Sequence, residues 1–116
     1  MRTLGLCLGA STISIAELEC ESTLSGFRCY DSLKQSRIVG HHLQPHEGNP
    51  RQALVAALAT IDLATFERIA VTGRRFRGLV NLSVLSEPEA VEKAYRHARP
   101  EGVQCPAVVS AGGESF

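Results

Sequence analysis

Short apolar segments, interrupted by glycine or polar residues, mark three stretches in the first part of the chain. They run from Thr3 to Leu8, from Ser14 to Leu18, and through "RIVGHHLQP", residues 37–45. Segments of this length bounded by turn residues are typical of β-strands. The linking "GAST" offers a glycine and two hydroxyls for a tight turn, so the first two strands are predicted to form a hairpin. Residues 19–36 lack periodicity and predict an excursion over the surface.

A helical spacing follows the third predicted strand. Within "GNPRQALVAALATI", Leu54, Leu58 and Ile61 fall on one face of a helix. Asn49 suits the N-cap, and Pro50 suits the first helical position because its missing amide would be unpaired there in any case. This stretch is the clearest helix in the sequence.

A second helix is predicted to begin at Ser86. Ser86 and Glu89 have the spacing of a capping box, in which each side chain bonds the other residue's amide. Apolar positions then continue along one side until "RPEG" ends the helix: Ala90, Val91, Ala94, Tyr95 and Ala98.

The remaining apolar runs complete the predicted architecture. Strands are predicted for Arg68 to Gly73, "NLSVLS" (81–86) and "QCPAVVSAGG" (104–113), with one or two helical turns in "RRFRGLV" (74–80). Two early antiparallel pairings followed by β-α-β units predict an α/β fold. We expect a mixed five-stranded sheet with helices on its faces.

Composition limits the partners and the compartment. A length of 116 residues predicts one small domain with a single core. Twelve basic and twelve acidic side chains leave no net charge to attract nucleic acid or an acidic membrane. No apolar run approaches the roughly 18 residues of a membrane span, and the first residues predict a strand rather than a signal peptide. We therefore expect a cytoplasmic protein.

The cysteines show no metal-binding or redox spacing. None forms a C-x-x-C pair: Cys7, Cys20, Cys29 and Cys105. Free thiols in a reducing compartment are the favoured interpretation. A Cys20–Cys29 disulfide across the excursion is the alternative.

Three histidines in "GHHLQPH" invite comparison with a metal site. His41 and His42 would point to opposite faces of a strand, so they are poorly arranged to share a metal with His46. We expect surface histidines instead.

Charged residues follow two of the later predicted strands. Arg74, Arg75 and Arg77 stand beyond the strand end at Gly73 and could meet a phosphate, an adenine face or a partner protein; a solvated basic turn is favoured. Glu87 lies next to a helix start, where its charge is favourable without any ligand.

Five local sequences occur in the order and rough spacing found in one protein family. With the predicted element order, they resemble the leading module of the CoA-substrate-specific enzyme activases. These are the ATPase activators of 2-hydroxyacyl-CoA dehydratases and benzoyl-CoA reductases, within the actin-like, ribonuclease H-like superfamily. The resemblance covers nearly the whole chain except residues 19–36. The sequences are "GLCLGASTIS", "HEGNPRQAL", "RIAVTGRR", "VLSEPEAVEKA" and "VSAGGESF".

The resemblance implies a two-part organisation and a nucleotide site. Residues 1–103 would form a ribonuclease H-like first lobe, and residues 104–116 the first strand and truncated phosphate loop of a second lobe. The chain would then be an N-terminal module, with the rest of a longer activase chain as its partner. ATP and Mg²⁺ would meet the first loop at Gly9, Ala10, Ser11 and Thr12, and the second at Gly112, Gly113 and Glu114.

The acids of both phosphate loops are replaced in this sequence. Cys7 stands where the family has Asp in the first loop, Ser14 where it has Lys, and Ser110 where it has the Asp before Gly112 and Gly113. Mg²⁺ prefers carboxylate and water oxygens, so no metal ligand, no catalytic residue and no ATP hydrolysis by this chain alone are predicted. The family's iron–sulfur cysteines lie beyond the second loop, so no cluster is predicted either.

Three functions remain open on the sequence. The leading one is a degenerate actin-like ATPase module of an activase, with a CoA-ester dehydratase or reductase as partner. The second is a working ATP-binding half-site that needs a second lobe. The third is a dimerisation or partner-binding module, in which the strand from Cys105 to Ser110 pairs with a sheet edge and yields a homodimer.

Overall fold

A computed structural model of the chain describes residues 1–20, 36–73, 82, 84–98, 101–102 and 107–109. From the first strand to the second helix the described elements follow the predicted order, and the short helix predicted in 74–80 lies outside the described residues. A 3-10 turn at Leu63–Thr65 lies between the first helix and the fourth strand. The elements are β1 (Arg2–Leu8), β2 (Thr12–Cys20), β3 (Ser36–Pro45), α1 (Pro50–Ala59), β4 (Arg68–Thr72), β5 (Val84–Leu85) and α2 (Glu87–Ala98).

The strands form one mixed sheet in the order β3-β2-β1-β4-β5. β2 is antiparallel to both β1 and β3, whereas β4 is parallel to β1 and β5 is parallel to β4. Among the described strands, β2 alone therefore runs against the others. The predicted α/β class, with a mixed five-stranded sheet and two helices, is confirmed.

The hydrophobic core lies on one side of this sheet, called here the packed face. Leucines at alternate positions of β1 meet isoleucines of β2 and a valine of β4, and α1 covers them with one leucine and one alanine. Full burial of such a side chain contributes about 1.5–3 kcal/mol. The buried residues are Leu4, Leu6, Leu8, Ile13, Ile15, Leu54, Ala57 and Val71.

One end of the packed face is closed by a charged side chain. The guanidinium of Arg2 bonds the carboxylate of Glu17 at 2.9 Å across the β1–β2 ladder. The same group lies 4.9 Å from the ring centroid of Phe66, which packs against the core. Arg2 thus shields apolar surface with its stem while its charge is paired.

Both helices begin at the predicted caps. The side chain of Asn49 accepts the amide of Gln52 at 3.3 Å, and the hydroxyl of Ser86 accepts the amide of Glu89 at 3.4 Å. α2 reaches the face opposite the core, called here the second face. At its C-terminal end, His97 Nδ1 lies 3.4 Å from Ser36 Oγ.

Gly73 allows the end of β4 to abut the end of β1. Its φ is +114°, and a Cβ at this position would stand 2.4 Å from the carbonyl oxygen of Leu8. No side chain fits there without moving backbone, so glycine is required by contact as well as by conformation.

Several predictions fall partly or wholly outside the described residues. The excursion is shorter than predicted, because Glu19, Cys20 and Ser36 belong to strands. Of the predicted final strand, residues 107–109 are described and carry no strand. No described helix is long and apolar enough to cross a membrane. The following predicted features lie outside the described residues: Arg74, Arg75, Arg77, Cys29, Cys105, Ser110, Gly112, Gly113, Glu114 and the helical turns of 74–80.

Candidate anion site at the β1–β2 turn

The turn from Gly9 to Thr12 joins the central strand β1 to its neighbour β2. The amide of Gly9 donates to the carbonyl of Thr12 at 2.9 Å, which fixes the start of the turn. A Cβ on Gly9 would lie 3.2 Å from that same carbonyl oxygen, closer than most side chains tolerate. The turn also lies at the carboxyl end of β1, the side on which α/β folds generally bind ligands.

The amides of this turn are incompletely paired. Within the described residues, neither the Ala10 amide nor the Ser11 amide donates a hydrogen bond. The Thr12 amide does not donate to the Gly9 carbonyl, the bond that ordinarily closes a two-residue hairpin turn. Successive free backbone N–H groups form a concavity that suits an anion.

His46 holds this turn from the loop after β3. Its Nε2 lies 3.2 Å from the Gly9 carbonyl oxygen, and its backbone amide donates to the Ser11 carbonyl at 3.0 Å. Its Nδ1 accepts the Gly48 amide at 3.3 Å. The residue is only 4% exposed, so the prediction of a surface histidine was wrong for His46.

The other two histidines have separate partners. His41 Nε2 lies 3.4 Å from Ser14 Oγ on the second face, and His42 Nε2 lies 3.4 Å from Gln44 Oε1. The predicted divergence of His41 and His42 is confirmed. Among the described residues, no group of three or more histidine, cysteine or acidic side chains could hold a metal ion.

Cys7 lies on the second face, two residues before the turn. Its register partners are Ser14 on β2 and Thr72 on β4, so three short polar side chains stand side by side. Burial raises the pKa of the Cys7 thiol, and the negative charge of Glu87 raises that pKa further. The thiol is therefore neutral at physiological pH and brings no charge to the site.

Thr72 adds an unpaired hydroxyl to this row. Its Oγ1 is buried and has no hydrogen-bond partner in the described part of the protein. Buried hydroxyls are usually paired, since leaving one unpaired costs about 1–3 kcal/mol. The row formed by Cys7, Ser14 and Thr72 is therefore polar but uncharged, and it crosses the strands near the turn.

Comparisons with known proteins give little similarity. No protein-family model and no curated protein matches the sequence. A solved structure described as a structural study of the PPX-GPPA enzyme of Aquifex aeolicus is similar with a TM-score of 0.43 and 14% identity. The match covers 78% of this chain and 37% of that chain, so this chain spans well under half of that protein.

The structure brings together only part of the predicted site. Gly9, Ala10, Ser11 and Thr12 form one turn, whereas Gly112, Gly113 and Glu114 lie outside the described residues. Sequence reasoning missed His46 and Thr72. His46 carried a usable signal, because a histidine just before a glycine-containing helix start can fold back onto a neighbouring turn. Thr72 carried none, since any strand end holds such residues.

Proposed function

We propose that the chain is the N-terminal, ribonuclease H-like lobe of an activase-type protein whose β1–β2 turn binds nucleotide phosphate without hydrolysing it. The observation that carries this proposal is the pair of unbonded amides, Ala10 and Ser11, in a glycine turn at the carboxyl end of the central strand. The hydroxyls of Ser11 and Thr12 could add further donors. Phosphate oxygens need several convergent donors, and backbone amides are the most common ones in such turns.

Strand directions support the ribonuclease H-like part of the proposal. The chain forms a three-stranded meander, crosses over through α1, and then adds two strands parallel to β1. This is the element order on which the resemblance to the actin-like ATPases rests. The activase assignment itself depends on the local sequences described above.

The residues present fit a phosphate group better than Mg²⁺. A neutral thiol on Cys7 and the hydroxyl on Ser14 stand where the family has an acid and a lysine. Mg²⁺ prefers carboxylate and water oxygens, and neither side chain supplies a charged one. Without the metal, phosphoryl transfer loses several kcal/mol of transition-state stabilisation, so binding without turnover is expected.

Calorimetric titration with ATP tests the proposal. The 116-residue protein should bind ATP weakly, with an affinity that added Mg²⁺ leaves unchanged, and a longer chain that includes a second lobe should bind more tightly. Hydrolysis by the longer chain would instead favour the working half-site. Absence of binding by both proteins would refute a nucleotide role.

A pair of variants tests whether the turn amides are the donors. Ser11→Pro removes one amide, whereas Ser11→Ala keeps that amide and removes only the hydroxyl. Binding should fall by about two- to tenfold in the proline variant, the equivalent of one lost hydrogen bond, and less in the alanine variant. Equal losses in both variants would assign the contact to the hydroxyl. Circular dichroism of each variant controls for loss of folding.

A partner-binding module is a second candidate, favoured by the exposed edge at β3. Within the described residues β3 pairs only with β2, and Ile38 and Leu43 are 61% and 55% exposed. Long unprotected edge strands recruit other strands. Light scattering after size-exclusion chromatography should show a concentration-dependent dimer if this edge joins two copies, and a monomer at all concentrations otherwise.

A further inference from the structure

We infer that His46 is a positioning residue. By donating a hydrogen bond to the carbonyl oxygen of Gly9, its side chain keeps the β1–β2 turn open for an anion. The inference rests on the proposed phosphate-binding role of the turn. It goes beyond that role because His46 belongs to another loop and does not itself contact the ligand. Its effect on the turn can also be measured without any ligand.

The hydrogen bonds of Gly9 show what His46 replaces. A two-residue hairpin turn usually closes when the amide of its fourth residue donates to the carbonyl of its first. Here the Gly9 carbonyl lies 3.2 Å from His46 Nε2, and the Thr12 amide does not donate to it. Of the two hydrogen bonds that could join Gly9 and Thr12, the turn therefore has one, from the Gly9 amide to the Thr12 carbonyl.

The imidazole of His46 is fixed in one tautomer by its own loop. The Gly48 amide donates to Nδ1 at 3.3 Å, so that nitrogen carries the lone pair and Nε2 carries the proton. The proton on Nε2 then points at the Gly9 carbonyl. The ring is almost fully buried, so water does not compete for either bond.

The backbone after His46 is shaped to provide this arrangement. Glu47 has a φ of +45° and Gly48 a φ of +83°, and the Asn49 amide donates to the His46 carbonyl at 2.6 Å. A left-handed conformation costs a residue such as glutamate about 1–2 kcal/mol. The left-handed conformation of Glu47 turns the Gly48 amide back toward the imidazole.

Hydrogen bonding of the turn's carbonyl oxygens to His46 makes the turn a better anion site. His46 satisfies the Gly9 carbonyl with its side chain and the Ser11 carbonyl with its backbone amide. Carbonyl oxygens repel phosphate, whereas the amides of Ala10, Ser11 and Thr12 attract it. By bonding the two carbonyls, His46 favours the turn conformation in which these amides remain available.

Two substitutions separate the two bonds of the imidazole. In His46→Gln the side-chain amide can still reach the Gly9 carbonyl. In His46→Asn the shorter side chain can accept the Gly48 amide but cannot reach Gly9. Both variants lose buried ring packing, so a purely structural role would affect them alike.

The experiment measures hydrogen exchange of the Thr12 amide by NMR, followed by titration with inorganic phosphate and ATP. In His46→Asn the Thr12 amide should close onto the freed Gly9 carbonyl, and its exchange should slow by about tenfold. Phosphate and ATP should bind this variant about two- to tenfold more weakly, the equivalent of one hydrogen bond. His46→Gln should match the wild-type protein in both measurements.

Two results would overturn the role of His46. One is Thr12 exchange that is the same in His46→Asn and the wild-type protein; the other is ¹⁵N imidazole shifts showing the proton on Nδ1. If wild-type protein binds neither phosphate nor ATP, the proposed function fails instead. The exchange measurement then still decides whether His46 holds the turn open.

Discussion

Cys7 places a neutral side chain beside the proposed phosphate-binding turn. Its pKa is raised by burial and by the charge of Glu87, so the same surroundings would also oppose a new negative charge. A bound divalent cation would instead stabilise a negative charge at this position. The position can therefore be tested by restoring the acid.

Cys7→Asp should create a dependence on Mg²⁺ that the wild-type protein lacks. Without Mg²⁺ the variant should lose roughly 1–3 kcal/mol of unfolding free energy, because a half-buried carboxylate faces Glu87 without compensation. Millimolar Mg²⁺ with ATP should recover part of this loss in thermal unfolding. Cys7→Ser is the control, since it stays neutral and should show no response. An equal rise in Tm for wild-type protein would contradict the proposed loss of the metal site.

Gly73 offers a test of how closely β4 approaches β1. Gly73→Ala should cost about 3 kcal/mol or more in urea denaturation, because the new Cβ meets the Leu8 backbone and the positive φ adds strain. Gly102→Ala is the matched control, since its φ is +80° and no described atom lies within 4 Å of the added Cβ, and it should cost only about 1 kcal/mol. Similar losses in both variants would show that β4 can move away from Leu8.

At the scale of elements, α1 stabilises the fold through one of its faces. Leu54→Ala should lower the unfolding free energy by about 2–5 kcal/mol, because Leu54 is 5% exposed and belongs to the hydrophobic core. Val55→Ala changes the next residue, which is 65% exposed, and should remain within about 0.5 kcal/mol of the wild-type value. Comparable effects of the two variants would place the core on another face of α1.

The helices and strands were largely predictable because their signals are local. Asn49, Pro50 and Ser86 mark helix starts by chemistry that involves only the next few residues, and each lies where predicted. For β5, "NLSVLS" predicted a strand over residues 81–86; of its described residues, Val84 and Leu85 form the strand, whereas Leu82 and Ser86 do not. Its length depends on pairing with β4, which short-range patterns do not report.

The candidate site was less predictable than the fold. Glycine and hydroxyl residues at positions 9–12 identified the turn, but its open hydrogen bonding depends on His46, which comes from a loop distant in sequence. The same limit explains why His46 was assigned to the surface. Burial of a polar side chain is decided by partners that only the folded chain brings near.

At the scale of the whole molecule, the sheet joins two kinds of pairing around β1. β2 follows β1 after a single turn, whereas β4 reaches β1 only after β2, β3 and α1 have been passed. The pairing of β1 with β2 joins residues close in sequence. The pairing of β1 with β4 requires closure of a long loop. The class could be predicted from this succession, because a crossover through a helix gives parallel strands.

From this arrangement around β1 we expect the sheet to assemble in two stages. Hairpins form within about 1–10 μs, whereas contacts distant in sequence must first overcome the entropy of loop closure. The meander of β1, β2 and β3 should therefore form early, leaving one edge of β1 bare until β4 arrives. The seam between β1 and β4, with Cys7 beside Thr72, should therefore close only after the meander has formed. We expect it also to be the first to open under denaturing conditions.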